Sequence, residues 1–135
     1  MPIEYRVDRE RRLVVAAGHG TVTDEDVFGY QHDAWSDGST AGYDEVVDMT
    51  RVTRIALPSI ERVRDLARLS ATMDPPGSKT KFAIVAPEDI AFGLGRMFQA
   101  FRELDVRSTK EVGVFRTMEE ARAFLGVDEG VSLSL

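Results

Sequence analysis

Tyr43-Asp44-Glu45-Val46-Val47-Asp48-Met49-Thr50-Arg51-Val52-Thr53-Arg54-Ile55-Ala56-Leu57-Pro58-Ser59 is the stretch that decides the fold class. Val46 and Val47 form the apolar centre of a strand from Tyr43 to Met49, and a long polar loop then runs to Ser59. Ser59 sits where a helix N-cap is needed. Beyond it Ile60, Val63, Leu66, Ala67 and Met73 recur at helical spacing, while Glu61, Arg62, Arg64, Asp65 and Arg68 take the wet face. Asp74-Pro75-Pro76-Gly77 stops that helix. A strand followed by a capped amphipathic helix is the start of a β-α-β unit, so the flanking patterns decide how the sheet is built.

Towards the N-terminus, Ile3, Tyr5 and Val7 alternate with Glu4, Arg6 and Asp8, the period of a half-exposed strand. Arg9 to Arg12 makes a polar turn, and Leu13 to Ala17 reads as a more buried strand that completes an antiparallel hairpin. Gly18-His19-Gly20 loosens its end, and Thr23-Asp24-Glu25-Asp26 caps a helix with an acidic first turn. That helix turns Val27, Phe28, Tyr30, Ala34 and Trp35 inward. Towards the C-terminus, Phe82 to Ala86 is a short apolar run, read as a central strand buried on both faces. Pro87 opens a helix with the stripe Ile90, Leu94, Met97, Phe98, Phe101 and Leu104. Glu111 to Arg116 is a last strand, and Thr117 opens a last helix with Ala121, Phe124 and Leu125 inward.

The order is therefore β-β-α-β-α-β-α-β-α. It predicts an α/β single domain: a mostly parallel five-stranded sheet with one antiparallel strand and four helices. The domain spans 1–127, and 128–135 is a C-terminal tail in which Val131, Leu133 and Leu135 alternate with serine. The tail is expected to fray, or to pair with a sheet edge of another copy.

Composition narrows the function classes. The 135 residues are 43% apolar and 30% charged, enough for one core without staples. No cysteine occurs, which excludes disulfides, thiolate metal ligands and a cysteine nucleophile and suits a reducing cytoplasm. No signal-peptide pattern or integral membrane segment is read. A net charge of −6 argues against nucleic acid as a partner.

The order of elements, with Asp48-Met49-Thr50 and Val52 after the third strand, resembles the STAS fold of sulfate transporters and anti-sigma-factor antagonists. A closer resemblance is to the SpoIIAA-like family of small stand-alone bacterial proteins. It is carried by the starting strand pair, Ala83-Ile84-Val85-Ala86-Pro87, Ala91-Phe92-Gly93-Leu94-Gly95-Arg96-Met97-Phe98, Val114-Phe115-Arg116, Glu119-Glu120-Ala121 and Phe124-Leu125. These motifs span residues 3 to 127 and are specific in their joint order. That family is similar in fold to CRAL-TRIO lipid-transfer domains, which implies a site for an apolar ligand. The antagonists carry Asp-Ser-Ser-Gly with a serine that a kinase phosphorylates. Here Ala56-Leu57-Pro58-Ser59 occupies that window, and Pro58 falls at the serine. The phosphoswitch does not carry over.

Two sets of candidate residues follow. Asp48, Thr50, Arg51, Arg54, Ser59 and Arg62 mark a surface for a protein partner around the loop. Ser59 reads as an N-cap or as a phosphosite, and capping explains it without function. Arg51, Arg54 and Arg62 either gather a small anion at the helix start or pair on the surface with Asp44, Glu45 and Asp48. Phe92, Gly93, Gly95, Arg96, Met97 and Phe98 form the second set. Two glycines inside one helix each cost about 1 kcal/mol relative to alanine. They serve either close packing or room for a ligand against Phe92, with Arg96 at its polar end.

No cofactor or metal is expected: the two histidines, His19 and His32, lack the helical spacings of metal sites, and no nucleophile elbow occurs. The expected function is a non-catalytic regulatory domain working through protein contacts, with a homodimer among its expected states. The alternative is a carrier of a small apolar or lipid-like ligand between the third helix and the sheet. A carrier predicts an internal cavity. A partner module predicts a filled core with apolar residues outside, such as Ile55 or Leu57, and an enzyme predicts Ser59 within reach of a histidine.

Overall fold

A computed structural model describes residues 2–56 and 59–135. Its elements are β1 (Ile3–Asp8), β2 (Leu13–Thr23), α1 (Asp24–Trp35), β3 (Asp44–Ala56), α2 (Ile60–Thr72), β4 (Thr80–Val85), α3 (Asp89–Leu104), β5 (Lys110–Phe115) and α4 (Met118–Leu125). They follow the order read from the sequence. The five strands lie in one sheet in chain order, β1 antiparallel to β2 and every later pair parallel.

Crossovers of one hand between successive neighbours put their helices on one side of a sheet. Accordingly α1, α2 and α3 share a face with Val14, Ala16, Val47, Phe82 and Val112. On the back, Ala121 and Leu125 of α4 pack on Leu13, Val15, Val46, Ala83 and Val85. Thus Val46 and Val47, adjacent in β3, serve opposite cores, as a strand buried on both faces requires. The ends of the long stripe on α3 stay outside: Ile90 and Leu104 are exposed, as is Ile60 at the start of α2.

Two readings of the sequence are corrected. The segment after Met49 is no loop: β3 continues to Ala56, paired with an equally extended β2 through His19↔Arg51, Gly20↔Val52 and Thr23↔Ala56. Irregular register near Gly18 and Gly20 lets β2 bend into this ribbon. Since β4 pairs with β3 only from Glu45 to Asp48, the ribbon projects beyond the sheet. The tail does not fray. Leu133 is only 3% exposed in the back core, and the Arg6 guanidinium donates to the carbonyl oxygens of Ser132 and Ser134 at 2.6 and 3.0 Å. Arg122 of α4 likewise donates to the carbonyls of Asp128 and Val131, both at 2.7 Å. The tail is a strap over the back of β1 and β2.

Candidate functional site

Alternation along β3 sends Glu45, Val47 and Met49 to the face covered by α1–α3. There the three helices leave a cavity of about 120 Å³ above the sheet. Its floor is Val47, Met49, Phe82 and Ile84, and its walls are Val27 and Phe28 of α1, Val63 and Leu66 of α2, and Ala91, Leu94, Gly95 and Phe98 of α3. The lining is overwhelmingly apolar.

At its buried end stand Ile3, Tyr30, Gln31 and Glu45. Glu45 is 2% exposed, yet both its oxygens are occupied: Oε1 accepts from Lys110 Nζ at 2.9 Å, and Oε2 accepts from the Tyr30 hydroxyl. Trp35 Nε1 donates to that hydroxyl oxygen at 3.2 Å, and Lys110 Nζ rests over the Trp35 ring, 3.3 Å from its centroid. Burial first, and then the Glu45 carboxylate, push the Tyr30 hydroxyl well above its ordinary pKa, so it remains a donor. Glu45 is therefore not a surface partner for the arginines. It is one half of a buried ion pair joining β3 to β5.

At its outer end α1 and α2 are joined by Arg62. Its Nε donates to Asp24 Oδ2 at 2.8 Å, and its guanidinium lies 4.2 Å from the centre of the Phe28 ring. That hydrogen bond holds the Asp24 carboxyl below its ordinary pKa. Ile55 and Val22, paired near the far end of the ribbon, complete this end.

The first set of candidates divides: Thr50, Arg51 and Arg54 line one open groove between the ribbon and the start of α3, with Glu88 and Asp89, while Ser59 and Arg62 stand at the start of α2. Asp48 Oδ1 accepts from the Thr50 amide at 2.9 Å within β3. Arg51 and Arg54 are exposed on the ribbon and, among the described residues, enter no ion pair. Ser59 is the N-cap of α2, its Oγ accepting from the Arg62 amide at 3.3 Å. Arg62 faces Asp24, with Asp65 at 3.9 Å, so of the two readings for Arg62 it is acid pairing that the structure shows, with Asp24 of α1 as the partner. Leu57, offered as an apolar contact, and Pro58, at the switch-serine position, lie outside the described residues.

Of the second set, Gly95 and Phe98 line the cavity. A Cβ on Gly95 would meet Val114 Cγ1 at 2.9 Å, so this glycine lets α3 approach β5. Gly93 is exposed with open space around it. Phe92 lies beneath the Arg116 guanidinium, 4.1 Å from its ring centre, and Arg96 is exposed and does not line the cavity. Met97 is partly buried against the Val63, Ala67 and Phe98 cluster.

Sequence reasoning turned Tyr30 inward but missed the buried roles of Glu45 and Lys110. The one signal available was an acid in phase with Val47 and Met49 on a strand, and its partner is 65 residues away. A second buried pair escaped in the same way. Arg102 of α3, 1% exposed, donates to Asp74 Oδ2 at 2.8 Å and to Ser70 Oγ at 3.1 Å. Asp74 also accepts from the amides of Thr109 and Lys110 at 2.7 and 3.2 Å, so the residue read as a helix stop anchors the start of β5.

Among the described residues neither histidine hydrogen-bonds to Ser59; His19 Nε2 lies 3.3 Å from Glu4 Oε1 on β1. No group of three or more acids and histidines able to hold a metal occurs among them, and no described helix is long and apolar enough to cross a membrane.

No family model and no curated protein matches the chain. Among solved structures it is similar to an uncharacterized protein of the DUF3478 family with a SpoIIAA-like fold from Shewanella loihica PV-4. The TM-score is 0.58 at 16% identity, over 91% of this chain and 93% of that one. The architecture is SpoIIAA-like, as the order of elements implied.

Proposed function

We propose that the protein binds a small apolar molecule in the cavity between α1–α3 and the sheet, without catalysis. The cavity itself carries this reading. Well-packed domains leave few voids larger than a water molecule, and this apolar space of about 120 Å³, opening to solvent at its outer end, is unfilled by the protein's own side chains. A compact apolar occupant would gain burial there. The size suits a single ring, since a protein void of roughly 150 Å³ accepts benzene. A long acyl chain does not fit without displacing a helix. A cytoplasmic setting accompanies the reading, on the ground of the cysteine-free sequence.

Native mass spectrometry of the protein purified without detergent tests it, together with titration by toluene followed in amide NMR spectra. A small retained mass, or toluene shifts centred on Val47 and Gly95, is the expected result. An unliganded mass with no toluene response up to its solubility would sink it.

A second reading, a regulatory module for a protein partner, is favoured by the ribbon. Thr50, Arg51, Thr53 and Arg54 are exposed on a strand that runs past the end of β4, so one side of its backbone has no partner strand among the described residues. A homodimer would cover such an edge, but the antiparallel register centred between Val52 and Thr53 brings Arg51 of one copy opposite Arg54 of the other. A different partner suits it better.

A further inference from the structure

Resting on the ligand-binding reading, we infer that the cavity selects a neutral molecule with a single hydrogen-bond donor, an O–H or N–H, on an apolar body of about one ring. The inference comes from what the polar groups around the cavity have left to offer. At the buried end, the Tyr30 hydroxyl donates to Glu45 and accepts from Trp35. The Gln31 amide nitrogen is directed at Met73 Sδ, 3.1 Å away. Glu45 accepts one bond on each oxygen, whereas an ionised carboxylate has about four lone-pair sites. Gln31 keeps one amide N–H and its carbonyl oxygen, so the unspent capacity at this end is mostly for accepting, and Glu45 is its charged acceptor.

An anionic group is disfavoured at both ends. At the buried end it would face the Glu45 carboxylate, whose charge is matched by Lys110, a residue outside the lining. At the outer end the Arg62 charge is committed to Asp24 at 2.8 Å, with Asp65 at 3.9 Å. Arg62, the one cation among the described lining residues, is already paired with Asp24. A fatty acid or phosphate head is thus disfavoured by charge as well as by size, and a phenol, an indole or a compact alcohol meets both conditions.

Three probes of one shape decide the matter: toluene, 4-methylphenol and 4-methylbenzoate, titrated at pH 7 into the wild-type protein with amide shifts of Val47 and Gly95 as the local readout. The expected result is that 4-methylphenol binds about fivefold or more tighter than toluene, the increment a hydrogen bond to a charged acceptor supplies. 4-Methylbenzoate leaves these amides unmoved. Toluene binding as tightly as 4-methylphenol, or 4-methylbenzoate binding at all, would overturn the donor rule while leaving an apolar site in place. Failure of all three would remove the ligand-binding reading and this inference with it. Glu45→Gln, if it folds, is expected to bring the 4-methylphenol preference towards that of toluene, and an unchanged preference overturns the role of Glu45. If it does not fold, the wild-type series alone decides.

Discussion

Gly93 and Gly95 are two residues apart on one helix and have opposite environments. Gly93 faces open space, whereas a Cβ on Gly95 would strike the stiff, β-branched Val114. Gly93→Ala is therefore expected to stabilise the protein by about 0.5–1 kcal/mol through helix propensity. Gly95→Ala is expected to destabilise it, as the clash outweighs that same gain. Paired urea titrations check both signs, and a stabilising Gly95→Ala would deny the close approach of α3 to β5. Ser59→Ala removes an acceptor for the Arg62 amide and should cost about 1 kcal/mol. An unaltered unfolding midpoint would end the capping role. At this scale the sequence was partly legible. The cap announced itself because Ser59 precedes a periodic helix, and two mid-helix glycines marked a place to look. Which glycine was structural depended on Val114, a residue on another element, and no local pattern holds that information.

Among the elements, α1 and α2 meet over the cavity's outer end through a few groups, chiefly Arg62 with Asp24 and Phe28. The pair is partly exposed, so Arg62→Met should cost little global stability. Its expected signature is local: faster amide exchange in the first turns of α1 and α2, with β3 and β4 unchanged. Equal acceleration everywhere would show that the clasp has no separate opening. The extension of β3 to Ala56 was not legible for a physical reason. Thr50, Arg51, Thr53 and Arg54 lie on a ribbon that leaves the sheet, so they carry little of the apolar alternation that burial imposes. The tail was equally silent, because three alternating apolar residues look alike whether they dock or fray. Element order, in contrast, was written locally, in the breaker Asp74-Pro75-Pro76-Gly77 and in the switch from alternating to helical spacing.

For the molecule as a whole, acid is the revealing perturbation. Hydrogen bonds from Arg107 lower the Asp105 carboxyl from 3.8 to about 2. The Arg62 side chain lowers Asp24, the Arg11 amide lowers Asp8, and the Ser39 amide lowers Asp37. Each folded value lies below the unfolded one, so each contribution is complete above about pH 4 and is lost as pH falls through the folded value. Thermal midpoints are expected to decline from about pH 4 towards pH 2, and less steeply in high salt, because these groups are near the surface. A midpoint flat across that window would contradict the assignment.

Strand order and chain order coincide in this sheet, and that has a consequence for the chain as it is synthesised. Each strand finds its neighbour already made, so the front layer can assemble step by step while translation continues. The back cannot. Leu13, Val15, Val46, Ala83 and Val85 wait for α4 and for Leu133, which follow every strand in the chain. Until residues 118–133 have emerged, the nascent chain presents that apolar face uncovered, and its demand for a chaperone is set by α4 and Leu133 more than by the elements before them.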